Sequence, residues 1–258
     1  MSTILFASPV FGPIISRRLG VSLGVNLLPG DGKLCNFDCI YCECGLNNEH
    51  RPDSRMPSKT LVISVLEDKL KAMQTQGQLP DTITFAGNGE PTLHPDFPEI
   101  IDETIRLRNQ YAPKASISVL TNATHIDREP VFQALMKVDN PLLKLDTVDT
   151  DYIRSVDRPT SRYDLPKLID KMRAIGKHGI IQTMFLKGTW EGRDVSNVDE
   201  RFVTPWLEVV KSIGPKLVTI YTIDRETPRL TLQKATKEEL DHIAERIREA
   251  GLEVSVSY

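Results

Sequence analysis

Apolar residues follow two different spacings along the chain after about residue 60. Short runs rich in β-branched residues predict strands, and the longer stretches between them, where apolar positions recur with the helical period, predict helices. The predicted strands lie at residues 21–27, 82–85, 116–120, 142–145, 180–185, 217–223 and 253–256. The predicted helices lie near residues 61–75, 97–110, 129–137, 165–175, 203–212 and 237–250.

Repeated strand–helix units predict parallel strands joined by right-handed crossovers. Six or seven such units fit a full or partial (β/α) barrel or an open doubly wound sheet, and the pattern alone does not separate these folds. In either fold the loops after the strands gather at one face, which carries the chemistry. The sequence has no internal repeat and no interdomain linker, so we expect one domain over residues 1–258.

Composition narrows the class of protein further. The 258 residues are 40% apolar and 26% charged with a net charge of −3, which is ordinary for a globular domain. A protein that holds RNA by its backbone usually has an excess of Lys and Arg, and this chain has none overall. Its first 20 residues lack the features of a signal peptide, and no stretch approaches the roughly 18 apolar residues of a membrane span. We therefore expect a cytoplasmic protein without a membrane partner.

All four cysteines of the chain, Cys35, Cys39, Cys42 and Cys44, fall within ten residues. Such clustering argues against a disulfide framework and favours metal binding or redox chemistry. The first three form a C-x3-C-x2-C motif, whose thiolates suit three corners of one [4Fe–4S] cluster and leave the fourth iron open for chemistry. An open iron of this kind can chelate the amino and carboxylate groups of the methionine in S-adenosylmethionine.

Two other interpretations of these cysteines stay open at this point. A structural zinc ion would use all four, although a single residue separates Cys42 from Cys44 and the two would crowd a tetrahedral site. A closed electron-transfer cluster would take Cys44 as its fourth ligand, in a spacing unlike that of bacterial ferredoxins. In a site with three protein ligands Cys44 is expected to be a spectator.

The cysteine motif, with the aromatic Tyr41 directly before its third cysteine, resembles the signature of the radical S-adenosylmethionine (SAM) superfamily. The run SRRLGVSLGVN at residues 16–26 is similar to the branch of iron–sulfur oxidoreductases that includes the wybutosine-synthesising tRNA enzymes. The resemblance implies an α/β fold, a partial (β/α)6 barrel of parallel strands with the cluster in the loop after the first strand. It also implies an enzyme that binds a [4Fe–4S] cluster through the catalytic Cys35, Cys39 and Cys42. Such an enzyme cleaves SAM reductively to a 5′-deoxyadenosyl radical that abstracts hydrogen from a substrate. The resemblance also assigns a cofactor contact to Tyr41.

Residues 87–91, Gly-Asn-Gly-Glu-Pro, follow a predicted strand and look like the superfamily's Gly-Gly-Glu-Pro motif, which binds the methionine amino group of SAM. Asn88 stands where that motif has a glycine. The resemblance therefore assigns cofactor contacts to Gly87, Asn88, Gly89 and Glu90. An ordinary turn between a strand and a helix is the alternative for this segment.

Further cofactor contacts are expected where strands end at the active face. Thr121 and Asn122 resemble a polar pair near the cofactor's carboxylate or ribose, and capping of the next helix is the alternative. Lys144 and Asp146 flank the end of another strand. Charged residues in a buried strand require a compensating interaction, which is either contact with the ribose or carboxylate of the cofactor or a structural salt bridge. Gln182 lies within an apolar strand and faces either the cavity or a neighbouring strand.

The substrate stays open between an RNA nucleotide, a peptide and a small metabolite. An activating enzyme for a glycyl radical enzyme and a non-enzymatic iron–sulfur electron carrier are the alternative functions. A reduced flavodoxin or ferredoxin is the expected electron donor. Candidate substrate residues are Arg17, Arg158, Trp190, Arg193 and Arg225.

Two segments without a regular period, 187–197 and 224–234, are predicted to be loops beside the cofactor. The first contains Trp190 and is expected to close over the site as a lid, with a solvated surface loop as the alternative.

Overall fold

The computed structural model describes residues 4–16, 19–224, 227 and 229–258. Its strands are β1 (Val10–Ser16), β2 (Gly20–Val25), β3 (Thr82–Phe85), β4 (Ser116–Thr121), β5 (Asn140–Lys144), β6 (Ile180–Met184), β7 (Leu186–Trp190), β8 (Arg193–Asp194), β9 (Leu217–Tyr221), β10 (Leu232–Lys234) and β11 (Val254–Ser257). The main sheet has the order β1-β2-β3-β4-β5-β6-β9-β11. Its strands are parallel except for β1, which runs antiparallel to β2 at one edge.

This curled, mostly parallel sheet confirms the expected fold class, a partial (β/α) barrel. Each of the seven strands predicted from the sequence occurs in it. The cysteines lie in the long segment after β2, which is the first of the parallel strands. Strand β1 was not predicted, because Pro13 interrupts its apolar run; a residue without an N–H is tolerated there since β1 is an edge strand.

The helices are α1 (Lys59–Gln76), α2 (Phe97–Tyr111), α3 (Glu129–Lys137), the short α4 (Thr150–Tyr152), α5 (Leu165–Ile175), α6 (Glu200–Ile213) and α7 (Lys237–Glu249). All but α4 correspond to predicted helices, and α4 continues into a π-helical turn at Ile153–Asp157. Their apolar faces cover one side of the sheet; the Phe97 ring, for example, meets the Phe85 ring edge-on at 6.3 Å. None of the helices in the described segments is long and apolar enough to cross a membrane.

The other side of the sheet carries hydroxyl groups. Because side chains alternate along a strand, Leu23 of β2 packs in the helix-side core while Ser22 points to the opposite face. Its hydroxyl donates a hydrogen bond to that of Thr84 at 2.8 Å, and the hydroxyl oxygens of Thr82 and Ser118 are 3.0 Å apart. The concave face is therefore polar although its residues are buried.

Both segments predicted to be loops contain strands, so that prediction was wrong. Strand β7 lies between β10 and β8 in a small antiparallel sheet, separate from the barrel, which we call the lid sheet (β10-β7-β8). Its strands are two to five residues long, and Trp190 pairs with Arg193 across a tight turn. Strands this short, partly exposed and rich in Gly and charged residues, leave no alternating pattern in the sequence.

Candidate active site

Residues 26–58, between β2 and α1, carry the four cysteines, and we call them the cysteine segment. This segment lies across the carboxyl ends of the parallel strands. Backbone hydrogen bonds tie it to the loop after β3, from Leu34 N to Asn88 O at 2.8 Å and from Glu90 N to Leu34 O at 3.1 Å. A further bond, from Ile40 N to Val156 O at 3.0 Å, ties it to the π-helical turn that follows β5. The chain therefore holds its cysteines at the face where functional groups of parallel α/β folds gather.

The four thiols differ in burial and in protonation. Cys35, Cys39 and Cys42 are half-buried, whereas Cys44 is buried and its thiol donates a hydrogen bond to the Gly87 carbonyl at 3.3 Å. Burial raises the pKa of Cys35 to about 12 and raises that of Cys39 well above its ordinary value. The pairing of Cys42 with Cys44 is the main cause that lowers the pKa of Cys42 to about 6. The same pairing raises the pKa of Cys44, which is thus held as a neutral donor.

The donor set of this loop suits an iron–sulfur cluster. Thiolates are the usual ligands of such clusters, and one buried ammonium, that of Lys33, interacts favourably with Cys35, Cys39 and Cys42 alike. In the part of the chain that the structure describes, no three Cys, His, Asp or Glu side chains are placed to hold a single metal ion. The three half-buried thiols and their shared cation fit a [4Fe–4S] cluster with three protein ligands.

Glycine is required twice in the loop after β3. Gly87 and Gly89 have φ values of +141° and +140°, which L side chains rarely adopt. A Cβ on Gly89 would lie 1.8 Å from the carbonyl oxygen of Leu34, and one on Gly87 would lie 2.7 Å from the Asn26 side-chain oxygen. The close approach that needs these glycines therefore includes the cysteine segment itself.

Glu90 binds the end of β4. One carboxylate oxygen accepts hydrogen bonds from the Thr92 hydroxyl at 2.6 Å and the Thr121 hydroxyl at 2.7 Å, and the other accepts Asn122 N at 2.7 Å. The carboxylate is almost fully buried, which raises its pKa. Its side-chain contacts are thus made within the protein, and they fix the loop after β3 to the loop after β4.

The side chain of Asn88 points away from the cysteines. Its amide accepts from Phe6 N at 2.9 Å and donates to Pro29 O at 2.7 Å, and it is fully buried. Asn122 points the other way: its amide nitrogen lies 3.8 Å from the Cys35 sulfur and donates to the Asn36 side chain at 2.7 Å. Of these two candidates, Asn122 is the one whose side chain reaches the cysteines.

Tyr41, Lys144 and Asp146 form one buried cluster with Asp157, at the ends of β5 and β6. The Tyr41 hydroxyl donates to Asp146, and the Lys144 ammonium contacts both of them and pairs with Asp157 at 2.9 Å. The other oxygen of Asp146 accepts Met184 N at 2.9 Å. Lys144 and Asp146 therefore form the salt bridge considered as the alternative role for them.

The pKa values of Asp157 and Lys144 in this cluster are shifted far from their ordinary values. Burial raises the pKa of Asp157 to about 7. Burial also disfavours the Lys144 ammonium, but Asp146 and Asp157 outweigh it and raise the pKa of Lys144 well above its ordinary value. Lys144 is held as an ammonium, which makes it a cation and not a nucleophile. Gln182 lies level with Lys144 on the neighbouring strand and is buried.

The lid sheet is attached to the cysteine segment through Trp190. The guanidinium groups of Arg158 and Arg229 lie over its ring, 5.9 and 4.8 Å from the ring centre. Arg158 pairs with Asp38 at 3.3 Å, and Arg229 pairs with Glu49 at 2.8 Å.

Trp190 also packs at the edge of a second apolar cluster, which includes Tyr41 and contacts Cys39. The structure thus brings Arg158 and Trp190 together beside the cysteines. Arg193 is exposed on β8, and Arg17 and Arg225 lie outside the described residues.

An open groove of about 800 Å³ borders Cys35 on its solvent side. It is lined by Pro29, Lys33, Leu34, Cys35, Asn47, Asn48, Arg51, Pro52, Ser54, Arg55, Met56 and Pro95. This set contains three cations and no carboxylate, in a chain whose net charge is −3. We call it the Arg51 groove.

Three residues close to the cysteines were missed by sequence reasoning. They are Lys33, Asn36, whose amide donates to the Thr124 hydroxyl at 2.6 Å, and Asp157. Lys33 and Asn36 flank Cys35 in sequence, and that adjacency was the signal available for them. Asp157 had no such signal, because only the turn after β5 brings it to Lys144.

Comparisons with known proteins identify the superfamily to which the chain is similar. The family model described as the Radical SAM superfamily matches residues 32–192. The UPF0026 protein of Helicobacter pylori is 30% identical over 236 residues, which cover 88% of this chain and 71% of that protein. A protein named GTPase Obg from Brachyspira hyodysenteriae is 26% identical over 250 residues, covering 96% of this chain. The chain spans only 34% of the length of that second relative.

Solved structures show the same fold. A radical SAM methyltransferase from Sphaerobacter thermophilus superposes with a TM-score of 0.67 at 16% identity, covering 92% of this chain and 66% of that one. TYW1 with a lysine–pyruvate adduct bound superposes with a TM-score of 0.61 at 13% identity, covering 88% and 73%. TYW1 acts in wybutosine synthesis, so the expected resemblance to that branch is confirmed for the fold.

Proposed function

The chain belongs to the radical SAM superfamily, whose cofactors are a [4Fe–4S] cluster and SAM, and we propose that Cys35, Cys39 and Cys42 hold the cluster in this enzyme. When bound, the cluster supplies the electron that splits SAM into methionine and a 5′-deoxyadenosyl radical, which abstracts hydrogen from a substrate. The substrate is an RNA nucleotide, a peptide or a small metabolite. We propose further that residues 1–258 form one radical SAM core domain.

One observation supports this assignment above all. The thiol of Cys44 donates to the Gly87 carbonyl at 3.3 Å, so its one hydrogen is already engaged inside the protein. That leaves three half-buried thiols, the number that keeps one iron of the cluster open for SAM. A closed electron-transfer cluster would need the Cys44 thiol to break its hydrogen bond to the Gly87 carbonyl.

The remaining contacts give each loop a role. The backbone at Gly87 and Gly89 lies against the cysteine segment and is positioned for the methionine part of SAM. Glu90 joins that loop to Thr121 and Asn122, and Asn122 extends to Cys35. We assign Asn88, Glu90 and Thr121 to shaping the site through these bonds. Tyr41, Lys144, Asp146 and Gln182 close the opposite side, at the ends of β5 and β6.

The test is reductive cleavage of SAM. Anaerobically reconstituted protein, mixed with SAM and dithionite, is expected to release 5′-deoxyadenosine and methionine, measured by liquid chromatography and mass spectrometry. An electron carrier would release neither. Zinc as the only metal after anaerobic purification, or a fully loaded cluster that cleaves no SAM, would refute the proposed function.

We propose that the electron donor, a reduced flavodoxin or ferredoxin, approaches through the Arg51 groove. The groove carries two exposed cations, Arg51 and Arg55, and opposite charge speeds the encounter of two proteins. Replacing dithionite by reduced flavodoxin or ferredoxin in the same assay tests this. Cleavage driven by the protein donor should fall steeply with added salt, whereas the dithionite reaction should not.

We propose that the substrate enters beside the lid sheet. Arg158, Trp190 and Arg193 are proposed to face this entry route. Arg17 and Arg225, outside the described residues, stay candidates from sequence alone. The support is the attachment of Trp190 to the cysteine segment through Arg158 and Arg229. Because both guanidinium groups already cover its ring, we assign Trp190 to holding the lid sheet against the cysteine segment.

Trp190→Ala is expected to make the cluster more sensitive to oxygen. Each lost cation–π contact is worth about 0.5–1 kcal/mol, so the open state of the lid sheet should become about two- to fivefold more populated per contact. The rate at which air bleaches the visible absorbance of the cluster measures this. Arg193→Ala, an exposed change in the paired strand, is the control and should bleach at the wild-type rate. Equal rates for all three proteins would show that Trp190 does not shield the site.

A further inference from the structure

Lys33 is a buried cation two residues before Cys35. Its side chain is 1% exposed, and its ammonium donates to the Gly45 carbonyl at 2.8 Å. Among the described residues it forms an ion pair with Asp38, at 3.6 Å. Removing an ammonium from water costs several kcal/mol unless other groups compensate for it, so a charge in this position needs partners.

The partners in the protein do not balance this charge. The Asp38 carboxylate also pairs with Arg158 at 3.3 Å and accepts Asn47 N at 2.7 Å, so one anion serves two cations. The other buried cation near the cysteines, Lys144, differs in this respect because it has both Asp146 and Asp157. Of these two lysines, only Lys33 therefore has a positive charge that the neighbouring carboxylates do not balance.

The ammonium of Lys33 lies within the loop that carries the three cysteines. Lys33 lines the Arg51 groove together with Cys35, and its ammonium donates to the carbonyl of Gly45, whose own N–H donates to the Cys42 carbonyl at 2.9 Å. In a low-dielectric site interactions between charges act over several ångströms with little screening. The charge is thus balanced once the three cysteines are thiolates, the state in which they bind iron.

We propose that Lys33 is the countercharge of the cluster: its buried ammonium offsets the negative charge of the thiolate-bound cluster and raises its reduction potential. The inference rests on the proposed function. Net charge near the cluster is one of the factors that set the potential of iron–sulfur centres, and an added electron is stabilised by a fixed positive charge. Lys33 is then a positioning residue for electron transfer, because it acts through the cluster.

Three variants separate the charge of Lys33 from its hydrogen bond to Gly45. Lys33→Arg keeps the charge, Lys33→Gln keeps a donor without the charge, and Lys33→Met keeps neither. Lys71→Met is the control, because Lys71 pairs with Glu67 on the exposed face of α1. The measurement is the midpoint potential of each reconstituted protein, followed by electron paramagnetic resonance in a redox titration, with iron counted per chain.

The Gln and Met variants are expected to shift the reduction equilibrium at least tenfold toward the oxidised cluster, which is about 59 mV for a one-electron couple. The Arg variant and Lys71→Met should keep the wild-type potential. Cluster assembly in the Arg variant alone would equally support the charge. A wild-type potential in the Gln variant, or loss of the cluster in all three Lys33 variants, would overturn the inference. If the wild-type chain itself assembles no [4Fe–4S] cluster, the proposed function fails first and Lys33 with it.

Discussion

Replacing any one of Cys35, Cys39 and Cys42 by Ala is expected to abolish the intact cluster and with it all cleavage of SAM. Each removed thiolate leaves one iron without its protein ligand, and Cys44 cannot replace it while its thiol binds the Gly87 carbonyl. The expected readout is a loss of the visible cluster absorbance, with iron well below the roughly four atoms per chain of a full cluster.

Cys44→Ala is the matched control for these variants. It removes a buried thiol from the same loop, and the lost hydrogen bond to the Gly87 carbonyl costs only about 1 kcal/mol. We expect it to keep roughly four irons per chain and to cleave SAM. A Cys44→Ala protein that loses its cluster would make Cys44 a ligand and would revive the closed electron-transfer cluster.

Much of the fold was predictable because parallel strands that are buried on both sides occur in the sequence as short apolar runs. The seven such runs became β2–β6, β9 and β11, and the stretches between them became helices. The elements that were missed, β1 and the lid sheet, lie at an edge or outside the barrel. Most of their residues are partly or fully exposed, so burial imposes neither a continuous apolar run nor an alternation on them.

The site was predictable as a set of residues and less so as a set of contacts. The cysteine motif and the loop after β3 lie next to each other as expected, since both follow parallel strands. The side chains of Asn88 and Glu90, however, bind other parts of the protein, including Phe6, 82 residues away from Asn88. Pairings over such separations depend on the folded chain, and nothing local in the sequence signals them.

The same distinction applies to the charges. Lys144 and Asp146 are two residues apart, so their salt bridge was an alternative visible in the sequence. Asp157 completes that cluster only because the π-helical turn after α4 brings it back to the sheet. π-Helical turns are often found at functional sites, and this one also carries Val156, to which the cysteine segment is bound.

Gly89→Val is expected to weaken SAM binding more than tenfold, that is by more than about 1.4 kcal/mol. The new Cβ would lie 1.8 Å from the Leu34 carbonyl oxygen and 2.5 Å from its carbon, both backbone atoms that a side-chain rotation cannot move. The two segments must separate, which breaks the hydrogen bonds between Leu34 and its partners Asn88 and Glu90, at about 1 kcal/mol each. The φ of +140° adds strain of about 1–3 kcal/mol.

Gly77→Ala is the control for Gly89→Val, because it separates backbone strain from collision. Gly77 also has a positive φ, at the end of α1, but nothing lies within 4 Å of its added Cβ. Its replacement should lower the free energy of unfolding by about 1 kcal/mol and leave SAM affinity unchanged. Calorimetric titration of SAM into each reconstituted protein, with thermal unfolding to show that both variants fold, makes the comparison. A folded Gly89→Val protein with wild-type affinity would mean that the loop after β3 is an ordinary turn, and that the close contact between Gly89 and Leu34 has no part in holding the cofactor.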